Sequence, residues 1–278
     1  SKTVVLAVGA YMTPVLLLKS ASAHWPQGLA NSSGWVGRNL MFHASDLFAV
    51  APLSRLSGEG PQKTLAMNDF YHAGGEKLGT FQTLGVPITL GQIMEYIREL
   101  ADKDRASLMG LLGSTPVWWR RVTSPVVHAI AMAAYFGMNF RYAAVWATIV
   151  EALPYLDNRV VFDREAPSGL RFEYTYRNEL KARVNALRTR IKKRLSPHRT
   201  MLLSGENNLN FAHVCGTCRF GDDPKTSVLN RDNRAHEIDN LYVVDGSFFP
   251  SSGGTNPSLT IAANALRVAQ RIHEMRAI

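Results

Sequence analysis

Three short stretches of this sequence combine turn-forming glycines with side chains able to move protons or hold a ligand: 213–221, 243–247 and 251–258. In the first, His213 precedes Gly216 and Thr217, which places an imidazole beside a loop whose glycine permits close backbone approach. Imidazole suits proton removal near neutral pH, and a positioned base is worth about 10²–10⁴ in rate. A lone histidine is more often a satisfied surface or core residue, so His213 gains meaning only from its neighbours. In the third stretch Asn256 stands directly before Pro257, the arrangement of a helix N-cap followed by proline at the first helical position. Such a helix start leaves free N–H groups and a positive dipole end facing whatever lies beyond Gly253 and Gly254. Asp245 ends an apolar run and precedes Gly246 and Ser247, at the carboxyl end of a predicted strand, where open α/β sheets bind ligands. A plain turn role would also place an aspartate there.

The elements that must position these residues show as periodicity and punctuation. Residues 3–8 read as a buried strand closed by Gly9, with Thr13 and Pro14 as cap and first position of a helix to Leu18. Residues 25–34 form a loop rich in Gly, Pro, Asn and Ser. Loose alternation over 40–53 and 64–72 predicts strands separated by a turn at 57–61. Helical spacing covers 88–112 and, broken at Pro125, 117–138; strand character returns over 143–153. The runs 160–163 and 170–175 flank Pro167, Ser168 and Gly169 as a hairpin. Residues 205–221, rich in Gly, Asn and short polar side chains, read as a binding loop. A buried strand follows at 241–244, and Pro257 opens a mostly apolar helix to about Met275. A strand and helix at each end with a mixed insertion between them predict an α/β plus α+β architecture whose chain leaves one domain and returns to it.

Composition narrows the classes. With 46% hydrophobic and 19% charged residues over 278 positions, the chain supports a packed core in one large domain or two ordinary ones, and wholesale disorder is excluded. A net charge of +9 permits phosphates, an anionic membrane or an acidic partner without choosing among them. The densest basic stretch, 181–194, interleaves its charges with Leu180, Val184, Leu187, Ile191 and Leu195 at helical steps, so it reads as a solvated helix face rather than a nucleic-acid surface. Cys215 and Cys218 leave a disulfide, a redox pair or two metal ligands formally open. No second tight Cys or His pair completes a zinc set, which leaves packing or backbone-positioning thiols as the expectation. No stretch has the form of a secretory signal, which favours a soluble, cytoplasmic location. Residues 129–150 are interrupted by Asn139 and Arg141, which disfavours a bilayer span; Trp118, Trp119, Arg120 and Arg121 could sit at a membrane interface.

Taken together the clusters resemble the glucose-methanol-choline (GMC) oxidoreductases. HVCGTCRFG at 213–221 is similar to the family's HxxGTxxxG segment, and continues through Asp223, Pro224, Ser227 and Val228 to NLYVVDGSFFPSS at 240–252 and GGTNPSLTIAANA at 253–265. Upstream, AVGAYMTPVLLLKSA at 7–21 is similar to the family's second signature, WVGRNLMFH at 35–43 to its VGxNLxxH segment and DNRVVFD at 157–163 to its NRV pattern; Phe42 stands where an acidic residue is common. The resemblance implies FAD as cofactor and oxidation of an alcohol or sugar hydroxyl by hydride transfer to the flavin. It assigns His213 as the base, Asn256 as the second polar residue of the catalytic pair, and Asp245, Gly246, Asn256 and Pro257 to segments lining the flavin. It implies a division into 1–45 and 206–278 as parts of an FAD-binding domain and 46–205 as a substrate-binding domain. The NPSLT helix start and the HxxGT-to-DP spacing look more like the sugar-oxidising branch. Family members also begin with a GxGxxG turn for the FAD pyrophosphate, and nothing of that form occurs here; the glycines at 74, 75 and 79 follow no convincing strand. A preceding segment or a partner chain, hence a hetero-oligomer, is expected to supply that half, and exposed apolar surface is expected without it. The alternatives are a lyase-type enzyme that keeps the flavin without its redox chemistry, and a non-catalytic subunit that binds a partner chain or membrane.

Overall fold

The ends of the chain meet. Strand β1 (Val4–Leu6) pairs in parallel with β11 (Leu241–Val243), Val5 opposite Tyr242. In the computed structural model, which describes residues 2–53, 63–72, 75–94, 96–97 and 117–276, this pair forms a small parallel sheet. The strand expected to be buried is not: Val4 is 38% and Val5 47% exposed, because β11 is its one partner strand among the described residues.

Helix α1 (Gly9–Lys19) starts earlier than Thr13 and Pro14 predict, with Pro14 inside it. The cap comes from far along the chain, since the Gly9 N–H donates to Asp245 Oδ2 at 3.0 Å. Thr13 then donates its hydroxyl to the same oxygen instead of capping. Proline at position 14 has no N–H for the Ala10 carbonyl one turn back, and the Thr217 hydroxyl donates to that oxygen at 2.7 Å instead. The proline that should disrupt the helix is thereby matched to a buried threonine from the GTxxxG stretch.

Among the described residues the larger sheet has seven strands and is built on β6 (Ala144–Glu151). Along one edge of β6 run β2 (Met41–Ala44), which pairs at its Glu151 end, and β3 (Leu47–Ala51), which pairs at its Ala144 end. The step between them is held by Asp46, whose N–H donates to Thr148 Oγ1 and whose carboxylate takes Arg188 in a two-pronged pair at 2.7 Å. Beyond them lie β10 (Leu209–Cys215) on β2 and β9 (Arg199–Leu202) on β3. The opposite edge of β6 carries β5 (Gly79–Pro87), and β5 carries the short β4 (Ala66–Met67). The expected strand at 64–72 reduces to β4, and β5 was not expected. Gly79, at φ +145°, lies so close to the Ile149 carbonyl oxygen that a Cβ would sit 2.0 Å from it, and only glycine fits. The stretch 209–215, expected within a binding loop, is a strand. The turn expected at 57–61 and the helical spacing over 98–112 lie outside the described residues.

Helix α2 (Val117–Met132) spans Pro125 and continues through a π-turn, Ala133–Gly137, before Asn139, at φ +62°, ends it ahead of β6. The side chains of Trp118, Trp119, Arg120 and Arg121 lie outside the described residues. The hairpin is β7 (Arg159–Phe162) and β8 (Leu170–Glu173). Helix α3 (Asn178–Leu195) buries the expected apolar stripe, Leu180, Val184, Leu187, Ile191 and Leu195, in the main core. Helix α4 (Ser258–Arg276) returns toward the parallel pair, with Ile261 near Gly246. The architecture is an α/β piece joined to an antiparallel α+β body. No helix among the described residues is long and apolar enough to cross a membrane.

Candidate active site

Three strands bring two histidines and a glycine loop together. The β2–β6 register sets His43 opposite Glu151. On the other side of β2, Asn210 pairs with His43 and Cys215 with Met41, so β10 carries an irregularity between 210 and 215. His213 sits in it, re-aimed as strand irregularities allow. Its Nδ1 lies 2.9 Å from Nδ1 of His43, with the rings edge to face at 84°. Nε2 of His43 lies 3.1 Å from the Ser252 carbonyl oxygen and 2.9 Å from that of Gly253. Glu151 holds the same loop from beneath: Oε1 accepts the Gly253 N–H at 3.2 Å and Oε2 pairs with Lys77 at 3.0 Å. Ser252 donates its hydroxyl to the Ala152 carbonyl, and the Gly254 N–H donates to the Tyr71 hydroxyl at 3.1 Å. A Cβ on Gly254 would meet the Tyr71 ring at 2.7 Å.

The two imidazoles differ in environment. His43 is fully buried, and burial above all pushes its pKa down to about 4; the neighbouring His213 adds to this, while the two carbonyls and Glu151 oppose it. It is neutral near neutral pH. His213 is half-buried, and its pKa is lowered from the ordinary 6.5 by burial first and by the Lys63 charge second. It is neutral and able to accept a proton near neutrality.

The remaining expected site residues divide. Asn256 is exposed, three residues beyond Gly253, so the hydrogen-bond chain from His213 through His43 leads to its loop. It does not cap α4 with its side chain. The Pro257 carbonyl accepts the Ile261 N–H and closes the first turn, so the helix begins at Ser258, and the Asn256 amide reaches across to β5, donating to Gln82 Oε1 at 2.9 Å. Pro257 is buried. Both oxygens of the Asp245 carboxylate are occupied within the chain, one by Gly9 and Thr13 and the other by the N–H and hydroxyl of Ser247. Its visible work is to tie β11 to the start of α1. Gly246 is buried, and its carbonyl accepts the Gly216 N–H at 3.0 Å, drawing 216 against the end of β11. Cys215 and Cys218 are free and fully buried, and burial drives both thiols well above their ordinary pKa, leaving them neutral packing groups. Among the described residues no group of three or more His, Cys, Asp or Glu side chains is placed to hold a metal ion.

Residues around the site that the sequence reading did not single out are His43, Glu151, Gln82 and Tyr71. The one signal for His43 was its place at the end of the WVGRNLMFH stretch; β2 is buried at every position, so no alternation marks it. Gln82 lies on β5, the strand that was missed.

Against this geometry the comparisons with known proteins are specific. The family described as GMC oxidoreductase matches residues 165–265, the stretch holding His213, Asp245 and Asn256. That stretch is the carboxyl-terminal region of the GMC oxidoreductase family. Paromamine 6'-oxidase of Streptomyces fradiae is 30% identical over 288 residues, covering 98% of this chain and 45% of its own length. The fructose dehydrogenase large subunit of Gluconobacter japonicus is 27% identical over 290 residues, covering 98% of this chain and 47% of its own. Among solved structures, pyridoxine 4-oxidase from Mesorbium loti superimposes with a TM-score of 0.56 at 20% identity, over 98% of this chain and 51% of its own, and so shares its fold. The chain spans about half the length of the curated relatives it matches.

Proposed function

We propose that this chain forms the catalytic wall of an FAD-dependent enzyme that oxidises an alcohol or sugar hydroxyl, with His213 as the base. The observation that carries the reading is the hydrogen-bond chain from His213 through buried His43 to the Gly253 carbonyl, which ties a neutral imidazole to the loop bearing Asn256. In this reading a ring nitrogen of His213 takes the proton of the substrate hydroxyl, and the Asn256 amide, steadied by Gln82, orients that hydroxyl. FAD, when bound, supplies the acceptor for the carbinol hydride.

The residues present suit a flavin. The first N–H groups of α4 have no helical acceptor and residues 258–260 are exposed, which leaves that helix start open to an anionic group. Leu259 is 82% and Leu266 74% exposed on the same helix, and Val4 and Val5 are open on β1. We assign those apolar surfaces to contact with the nucleotide-binding half carrying a GxGxxG turn, in a preceding segment or a second chain. We keep 1–45 and 206–278 as parts of the FAD-binding domain and 46–205 as the substrate domain. The pairing of β1 with β11 supports the union of the ends, although β10 also extends into the larger sheet. The names of the paromamine oxidase and fructose dehydrogenase relatives favour a sugar-like substrate.

The test is optical. The full-length protein should be yellow, and amino-sugars or ketoses added without oxygen should bleach the flavin band. A flavin band that persists while substrate is consumed would contradict the redox reading and favour the lyase alternative.

A further inference from the structure

Within the site lies a device that decides which nitrogen of His213 is basic. A neutral imidazole carries one N–H and one lone pair, and exchanging them changes a base into a donor at the same position. The fully buried His43 has its Nε2 at 3.1 and 2.9 Å from two carbonyl oxygens, Ser252 and Gly253, which only accept. A lone pair on that nitrogen would face theirs in a buried setting, so the proton sits on Nε2. Nδ1 of His43 therefore carries the lone pair, and at 2.9 Å from it stands Nδ1 of His213. Two lone pairs at that distance would repel, so the hydrogen belongs to His213 Nδ1, which donates. The lone pair of His213 then falls on Nε2.

Resting on His213 being the base, we infer that His43 is a positioning residue that fixes the tautomer of His213, so that proton transfer occurs at His213 Nε2. A histidine free in water favours the opposite tautomer, with Nε2 protonated, so the arrangement works against the intrinsic preference. It also suits the charged form: after His213 takes a proton at Nε2, its Nδ1–H still donates to neutral His43, now with charge assistance. Glu151 underpins the device by accepting the N–H of the same Gly253 whose carbonyl orients His43. The charged groups that bear on the pair are Glu151, which favours a proton on His43, and Lys63, which disfavours one on His213; Lys77 is engaged by Glu151. In the Ser-His-Asp systems an incorrectly held tautomer costs about 10⁴ in rate, which sets the upper scale.

The test uses the full-length flavoenzyme with ¹⁵N-histidine and solid-state NMR, the His213 signals being identified by their loss in His213→Gln. In the wild type, Nδ1 of His213 should carry the hydrogen and Nε2 should show the shift of a bare nitrogen; a hydrogen on Nε2 overturns the inference whatever the variants do. His43→Phe removes the acceptor and should move the hydrogen to Nε2 and lower kcat for flavin reduction at least about tenfold with KM little changed. His43→Gln, whose amide offers an acceptor to His213 and a donor to Gly253, should keep the wild-type tautomer and most of the rate. If His43→Phe fails to fold, the wild-type spectrum and His43→Gln decide. If His213→Gln retains the wild-type rate, the assignment of His213 as base fails; if His213→Gln is inactive while His43→Phe keeps the wild-type tautomer, rate and pH profile, the role of His43 alone fails.

Discussion

The corner around Gly253 and the exposed apolar residues of β1 and α4 are built on opposite principles. In the corner, His43, Glu151, Ser252 and Gly254 each find partners within the chain, and His43 and Glu151 are almost completely removed from water. Elsewhere, Val4 and Val5 on β1 and Leu259 and Leu266 on α4 stand in solvent with apolar side chains. The first region is complete and preorganised. The second presents apolar surface of a kind that marks an interaction site. The contrast teaches that, in the proposed reading, the groups that would handle the proton are already held within this chain, while the exposed apolar residues are the ones proposed to meet a cofactor-binding segment.

Breaking the buried polar contacts of this chain, those of the corner among them, should cost it stability. The largest effect is expected at Arg188→Met, which leaves the Asp46 carboxylate buried between β2 and β3 with only the Ser204 hydroxyl donating to it, for a loss of about 3–5 kcal/mol by denaturant titration. Acid should act next. His43 has its pKa at about 4 in the folded chain against 6.5 when exposed, so the unfolded state binds the proton first as pH falls. Stability contributed by neutral His43 is present above pH 6.5 and lost progressively toward pH 4, by about 3 kcal/mol, and urea midpoints of His43→Gln should lose about one proton of that slope. Thr217→Val comes third. It strips the donor from the Ala10 carbonyl that Pro14 cannot serve, for about 1–3 kcal/mol in thermal unfolding.

The exposed apolar residues should respond the other way. Leu266→Ser is expected to change the stability of this chain by under about 0.5 kcal/mol, since the side chain is already 74% exposed. The same substitution should weaken retention of FAD in the full-length protein, read by the flavin-to-protein absorbance ratio after gel filtration. A large fall in chain stability without loss of flavin would erase the contrast.

What the sequence made legible follows the same divide between local and distant causes. The α3 stripe, the β7–β8 hairpin and the α4 helix depend on neighbours within a few residues, and their periodicity and turn residues announced them. The start of α1 could not be read, because its cap is Asp245, 236 positions away. Strand β10 reads as loop because its irregularity breaks alternation, and β5 carries glycine where it crosses the Ile149 carbonyl. In the site, His213 and Asn256 stood out by motif, whereas His43 and Glu151 are polar residues at buried strand positions that become meaningful only once the β2–β6 register sets them side by side.

The central claim, that His213 removes the hydroxyl proton, is tested most directly by anaerobic stopped-flow reduction of the flavin in the full-length enzyme. His213→Ala should slow the reduction by at least about a hundredfold while the oxidised spectrum and thermal midpoint stay at wild-type values. Reduction of the variant at the wild-type rate would contradict the account.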